Sequence, residues 1–397
     1  MTAQLSQARH RTDELFRLLT PSALYERAVA ERHRFIFYLG HVEAFDWNML
    51  CRHALDLPAF HPAFDRLFAF GIDPDASGLP SDKPADWPSL EEVLRYNRRV
   101  RETVDARLAD APEQIVHVAI EHRLMHAETL CYLVHNLPLE QIAAPPVQPP
   151  EAAPAPQPVW IEIPAGRATL GRPRREGFGW DNEFEAVHED VPAFAIGKYK
   201  VTNGDYLRFV NDGGPPPHYW KRHANGWRLR TIFAEIPLPL DWPVWVTHSQ
   251  AAAYATWAGV GLPSEAQLDR AAYATPDGAE HLFPWGDDAP DPSRGNFDFC
   301  RWDPVPVTAH LAGNSAFGVS QLVGNGWEWA RDLFRPLPGF QPFHFYPGYS
   351  AGFFDDDHFV LKGASPRTAA KLLRRSFRNW FRKDYKYLYA GFRLVQQ

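Results

Sequence analysis

The sequence predicts an α+β chain of more than one domain: an N-terminal four-helix bundle, then a mixed α/β domain with much irregular structure. Three observations predict it. Apolar residues recur at helical spacing up to about residue 138. A Pro/Ala-rich stretch, QIAAPPVQPPEAAPAPQP (141–158), then breaks the pattern and reads as an extended linker. Beyond it, runs are short, aromatic and punctuated by Gly, Pro, Asn and Asp. The expected division is a helical domain over 1–140, a linker over 141–158 and a second domain over 159–397.

In order along the chain, Leu15, Leu18 and Leu19 open an amphipathic pattern. Ser22 is placed to cap a helix running through Tyr25, Val29 and Phe35 toward Leu50. The stretch 60–87, rich in Pro, Gly and Asp, reads largely as a long loop. Ser89 with Glu91 and Glu92 signals a helix start, its acids in the first turn, and Val93, Tyr96, Val100 and Val104 continue it. A fourth helix is expected from about Pro112 to Asn136, with Ile115, Val118, Ile120, Leu124 and Leu130 as its apolar positions. Four such helices pack naturally as an antiparallel bundle. In the second domain, helical signals are confined to 203–211 and 249–257, and no internal repeat is apparent.

Composition narrows the function classes. The 397 residues carry a formal net charge of -7, with 45% hydrophobic and 22% charged residues, as in a soluble globular protein. The densest basic stretches, around Arg172–Arg175 and Arg374–Arg378, are too short for a nucleic-acid surface. No apolar run reaches membrane-spanning length, and the N-terminus lacks the series of a signal peptide, so the expected location is cytoplasmic. No obligate protein partner is indicated. Cys51, Cys131 and Cys300 form no CxxC pair, so structural zinc and disulfide frameworks are not expected. A metal site would have to use His, Asp or Glu. The 14 Trp fall mostly in the second half, which suits buried indoles or a site for a flat or cationic ligand.

Such a metal constellation is present. IEHRLMHAETL places His122 and His126 four residues apart on an expected helix, where both imidazoles share a face. With 17 His in the chain, about one such pair arises by chance, and a solvated or satisfied pair is the plainer alternative. His41 strengthens the metal reading, because it interrupts an apolar helix face (FIFYLGHVEAF) where a bundle core is expected. Three neutral imidazoles suit iron or zinc.

These motifs carry a resemblance. The N-terminal half, with His41 and the HxxxHxE of His122, His126 and Glu128, resembles DinB-like helical domains. The C-terminal half resembles the formylglycine-generating-enzyme, or sulfatase-modifying-factor, fold, which is C-type-lectin-like. Its markers are FGWDNE (178–183), KVTNGDYLRFV (200–210), LPSEAQLDRAA (262–272), FPWGD (283–287), GNGWEWARD (324–332) and SFRNW…AGFRL (376–394). The pairing is similar to the ergothioneine-synthesis sulfoxide synthases and their selenium counterparts, the selenoneine synthases. The resemblance implies a non-heme iron(II) enzyme held by His41, His122 and His126. It would use O2 to join the sulfur or selenium of a thiol or selenol donor to the imidazole carbon of hercynine. It also implies that Tyr346 or Tyr349, in FYPGYSAGFF, supplies a proton or electron as O2 is reduced. Tyr346 is favoured for that role, with Tyr349 nearer hercynine. Asn379 and Trp380 match hercynine-contacting positions, an amide for the carboxylate and an indole for the quaternary ammonium. Without the resemblance, both tyrosines read as packed aromatics. Trp327 and Glu328 read as structural.

Three departures bear on the donor. Relatives that use γ-glutamylcysteine carry an arginine-rich loop, an Asp after the Asn-Trp pair and a Gln before the third ligand. Here the loop GIDPDASGLPSDKPADWPS (71–89) has no Arg, Phe381 follows Trp380, and Met125 precedes His126. A donor with two carboxylates loses its expected partners, which favours a hydroxyl-rich selenosugar, 1-seleno-β-D-glucose, and a hercynyl selenoxide product. The alternative is a sulfoxide synthase that takes cysteine or γ-glutamylcysteine. More distant alternatives are a zinc-dependent DinB-type thiol transferase and a non-enzymatic binding module. Copper-dependent formylglycine generation needs a cysteine pair that the second domain lacks.

Overall fold

The computed structural model describes residues 1–69, 79–143, 145, 150–151 and 153–396. The chain forms two compact units, Met1–Val147 and Gln148–Gln397, described in turn.

In the first unit, α1 (Thr2–Arg17) buries Leu5, Ala8, Arg9, Thr12 and Leu15 along one face. The helix therefore ends where the apolar pattern suggested a start. Two members of its buried stripe are polar, which an apolar count passes over: Arg9 reaches Asp105 (2.5 Å) and the Thr12 hydroxyl donates to the Arg9 carbonyl (2.9 Å). Ser22 caps no long helix. It opens a single 3-10 turn, Ser22–Tyr25, and α2 (Phe35–Asp46) begins only after Arg34, with no side-chain cap. Eleven of its twelve residues are buried, so α2 is held by packing on all sides rather than by amphipathicity. It passes directly into a π-helical segment, Trp47–His53.

Within the stretch expected as a loop, α3 (Pro62–Leu67) forms a short helix. Proline sits at its first turn, and the His61 ring accepts from the Phe64 N–H. Residues 71–78 of the arginine-free segment lie outside the described residues. Helix α4 (Leu90–Arg107) starts as expected, with Ser89 and Glu92 capping each other's backbone N–H. Helix α5 (Glu113–His135) runs between Pro112 and Asn136, as the sequence indicates. Helix α1 packs on α5, and α2 packs on α4. The start of the expected linker is pinned to this unit: the Ala143 N–H donates to the Leu18 carbonyl, and Ile142 bridges Leu19.

The second unit runs β1 (Trp160–Ile163), β2 (Gly166–Leu170), β3 (Val187–Val191), β4 (Phe194–Gly197), α6 (Asn203–Asn211), β5 (Trp220–His223), β6 (Gly226–Arg230), β7 (Glu235–Pro237), α7 (His248–Trp257), α8 (Glu265–Tyr273), β8 (Gly326–Leu333), β9 (His358–Ala364), β10 (Asn379–Arg382), β11 (Ala390–Gly391) and β12 (Val395–Gln396). The central sheet has the order β10-β9-β8-β11, antiparallel except for β11 against β8. Smaller sheets are β1-β4-β12, β2-β3 and β5-β6-β7. Helices α6 and α7 match the two helical signals. Helix α8 was not expected, although Ser264 and Gln267 form a reciprocal cap at its start. Its whole length is buried, including Glu265, Asp269 and Arg270, which meet Arg378, Lys362 and the Pro164 carbonyl from distant segments. It packs on β2, β3, β8 and β9 over a core that includes Ile163, Leu170, Ile196, Leu268 and Phe334. Glu328 is a structural hub, receiving Lys200 (2.6 Å) and Arg393 (2.6 and 2.8 Å) out of contact with water. No helix among the described residues is long and apolar enough to cross a membrane.

Candidate metal centre

His41 projects from the middle of α2, and His122 and His126 from the middle of α5. Because i and i+4 share a helix face, the two α5 imidazoles turn to the same side, toward His41. The three rings are 3–5% exposed. The His126 Nε2 lies 3.1 Å from the His41 Nε2 and 3.1 Å from the His122 Nε2. One ligand atom from each residue lies within 4.8 Å of the others, the one such trio among the described residues. Glu128 is not part of it.

The proton positions follow from the surroundings. The His41 Nδ1 is 2.6 Å from the Phe68 carbonyl oxygen. A carbonyl only accepts, so Nδ1 carries the proton and Nε2 presents a lone pair to the centre. Burial pushes the His41 ring down to about 4, against the pull of the Phe68 hydrogen bond. Burial, reinforced by neighbouring imidazoles, also drives His122 and His126 well below the usual histidine range. At neutral pH the site is therefore three neutral rings with converging lone pairs, the protonation state a metal ion requires. With metal–nitrogen bonds of about 2.1 Å, ligands at a right angle sit about 3.0 Å apart and tetrahedral ligands about 3.4 Å apart. The two 3.1 Å edges lie nearer the right-angle value. Three protein ligands would leave part of an ion's coordination shell free. The residues present thus fit a divalent first-row ion with room for exogenous ligands.

Two supports hold these rings. Phe45 stacks on His122 (centroids 3.4 Å apart) and Phe37 on His41 (4.9 Å). Gly40, beside His41, lets the Phe68 ring lie against the helix: a Cβ there would come within 2.5 Å of that ring. The second support is ionic. Arg123, wholly buried between the two α5 ligands, donates to the Glu43 carboxylate (2.9 Å), the Asp46 carboxylate (2.6 Å) and the Val42 carbonyl (2.8 Å) of α2. Arg101 binds Glu43 from α4 (2.6 Å) and reaches Asp13 of α1 (2.7 Å). Burial pushes Glu43 up, but Arg123 and Arg101 outweigh it and hold the group down at about 2. Burial keeps Asp46 above the usual range despite Arg123. The network fixes the register of α2 against α5, and so of His41 against the pair. Neither Phe68 nor this network was read from the sequence. Arg123, a charge on an otherwise apolar buried helix, was the available signal.

In the second unit, Tyr346, Tyr349 and Trp380 come together around a residue the sequence reading left without a role, Trp180. The Trp180 indole, wholly buried, stacks on Tyr349 (3.9 Å) and meets Tyr346 edge-on (6.4 Å). Tyr349 meets Trp380 edge-on (5.2 Å), and Trp380 stacks on Phe334 (4.4 Å). Burial, helped by the charge of Asp181, pushes the Tyr346 phenol up to about 12. Asn379 and Trp380 lie on β10, half-buried, and the Asn379 amide oxygen accepts from the Trp380 N–H (2.9 Å). Phe381, the next residue, stacks on Tyr385 (5.1 Å). Met125 is half-buried on α5, and its carbonyl accepts from Thr129.

Comparison with known proteins agrees with this division. Residues 4–156 match the DinB superfamily, and residues 146–397 match the sulfatase-modifying factor enzyme 1-like domain. The chain is 34% identical to the hercynine oxygenase of Mycolicibacterium thermoresistibile, over 84% of this chain and 80% of that one. It is 27% identical to ergothioneine biosynthesis protein 1 of Neurospora crassa, over 96% of this chain but 55% of the fungal one, so it spans about half the length of that relative. With both domain families matched in this order and this level of identity, the chain belongs to the family of the hercynine oxygenases and ergothioneine biosynthesis proteins.

Proposed function

We propose that this chain is an oxidoreductase that uses iron(II) and O2 to join a chalcogen to the imidazole carbon of hercynine. The observation that carries the reading is the His41–His122–His126 trio, with neutral, converging rings and no carboxylate among its ligands. The names of the relatives support hercynine as the substrate and an oxygenase-type reaction. Iron(II) held by these rings would supply the electrons that activate O2 and the open positions for small ligands. The net reaction balances with a thiol: hercynine C–H, R–SH and O2 give the S-oxide of the new C–S bond and one water. Both hydrogens leave in that water, and O2 takes all four electrons.

The protein's own groups then have defined tasks. Tyr346 stays neutral at pH 7 and holds a proton at its phenol oxygen for transfer to reduced oxygen. Tyr349 and Trp380 offer aromatic faces to the trimethylammonium group. The Asn379 amide can donate to the hercynine carboxylate. Activity is confined to small molecules, with neither nucleic acid nor a membrane as partner.

The ergothioneine relatives support sulfur as the chalcogen, and the family resemblance implies cysteine or γ-glutamylcysteine as its source. A specific observation favours a second reading with a selenosugar donor. Where an acid would pair with the dipeptide's ammonium, this chain has Phe381 stacked on Tyr385, and where an amide is expected it has Met125. The test is competition: iron-loaded chain, hercynine and O2, with 1-seleno-β-D-glucose, cysteine and γ-glutamylcysteine present together, products separated by mass. A dominant selenoxide supports the selenosugar reading, and a dominant dipeptide sulfoxide overturns it. Full turnover without O2 would sink the oxidative reading altogether.

A further inference from the structure

The turn Asp181–Glu183, with Trp180 before it, touches both segments that carry the expected hercynine contacts. On one side lies 343–350. Phe343, Tyr346 and Tyr349 all set their rings against the Trp180 indole, at 6.4, 6.4 and 3.9 Å. The Ser350 hydroxyl, immediately after Tyr349, donates to the Asp181 carboxylate at 2.6 Å. The backbone of Phe343, at the other end of the segment, also hydrogen-bonds that carboxyl. On the other side lies 374–380. Glu183 receives Arg374 through two bonds (2.8 and 2.5 Å) and the Ser376 hydroxyl (2.6 Å), shortly before Asn379 and Trp380. Glu183 also accepts from the Trp180 N–H (2.8 Å), which locks the turn itself.

We propose that Trp180 and Asp181 form a positioning clamp for the two tyrosines, with the carboxylate tying both ends of 343–350 and the indole supporting its rings. The inference rests on the proposed function for its catalytic meaning. Asp181 is wholly buried, and burial pushes its carboxyl up to about 6, against its hydrogen bonds. At neutral pH it is thus an anion held away from water against that cost. A carboxylate used only to fill space would be replaced without loss by an amide or an apolar group. The segment it ties has little regular structure: one backbone bond from Tyr346 to Phe343 and one from Tyr349 to Tyr346. Asp181 touches no reacting atom. It acts through the tyrosines.

The experiment uses the full chain with Ser350→Ala, which removes one tie and keeps the charge, and Asp181→Ala, which removes both. Amide hydrogen exchange over 343–350 is followed without substrate. Turnover of the iron-loaded chain is followed with hercynine and a saturating thiol or selenol donor. A hydrogen bond to a charged acceptor is worth on the order of a tenfold change in an opening equilibrium. Exchange over 343–350 is expected to quicken about tenfold in Ser350→Ala and more in Asp181→Ala, with other segments unchanged. The kcat falls in the same order, and the KM for hercynine rises with it, because Tyr349 loses its fixed place beside the trimethylammonium group. Unchanged exchange in both variants overturns the clamp, whatever the activity. Faster exchange with unchanged kcat overturns its positioning role. A wild-type chain that consumes no O2 with hercynine overturns the proposed function instead, and the exchange result still judges the clamp.

Discussion

Arg123→Met removes the hub that aligns α2 with α5 while keeping an unbranched side chain of similar length. Arg123 is wholly buried and bonds Glu43, Asp46 and Val42 at 2.6–2.9 Å. Without it, Glu43 keeps Arg101, but Asp46 is left with Arg9 at 3.9 Å. Breaking a buried pair from one side costs about 3–5 kcal/mol. At about 2–4 °C per kcal/mol for a unit of this size, unfolding should shift down by about 10 °C. The pH dependence is a sharper signature. Glu43 falls from 4.5 to about 2 on folding, which corresponds to about 3 kcal/mol. That contribution is present above the unfolded pKa and is lost as pH falls through 2. Asp46 is shifted the other way, so its share is present at low pH and lost as pH rises. Removing Arg123 weakens the first effect and enlarges the second. The buried histidines give both proteins a common pH dependence, so the signature is the difference: on acidification from pH 8 to pH 5 the variant should gain stability relative to the wild type. Thermal and urea unfolding across that range measure it. A loss under 1 kcal/mol with an unchanged pH profile would refute the assigned role of the network.

Three further outcomes follow from the geometry. Gly40→Ala places a methyl against the Phe68 ring and so disturbs the carbonyl that orients His41. Iron(II) affinity should fall about tenfold with a loss of about 1–3 kcal/mol in stability, read by metal titration and melting. Trp380→Leu keeps apolar bulk but removes the indole face. The KM for hercynine should rise about tenfold, and an unchanged KM would remove Trp380 from the binding site. Phe381→Asp restores an acid after the Asn-Trp pair. Competition assays should then show γ-glutamylcysteine gaining on an uncharged donor, and no change in preference would detach Phe381 from donor selection.

The parts of this fold legible in the sequence were those where a local rule acts alone. The Ser89–Glu92 cap, the Pro112 and Asn136 bounds of α5 and the Thr202-capped α6 are set by residues adjacent in the chain. Where partners are distant, local reading failed. Arg9 and Thr12 made the α1 stripe look polar, although their contacts lie within the bundle. Helix α8 has polar residues, Glu265, Asp269 and Arg270, that are buried on Arg378, Lys362 and the Pro164 carbonyl, partners far along the chain. The same divide runs through the site. His122 and His126 share one helix and were visible as a pair. The bond from His41 to Phe68 spans 27 residues and the bond from Ser350 to Asp181 spans 169, so neither could be read from spacing. The motif FGWDNE was visible as a family marker, but its contacts with the tyrosine segment were not.

The most direct test of the central claim is O2 uptake by the full chain with iron(II), hercynine and a thiol or selenol donor, with His122→Ala alongside. Uptake should require hercynine, the donor and iron together, with one O2 per new carbon–chalcogen bond by product mass. In the variant both metal binding and uptake should be lost while the helical fold, read by circular dichroism, is retained. Bond formation that continues without O2, or uptake retained by His122→Ala, would contradict it.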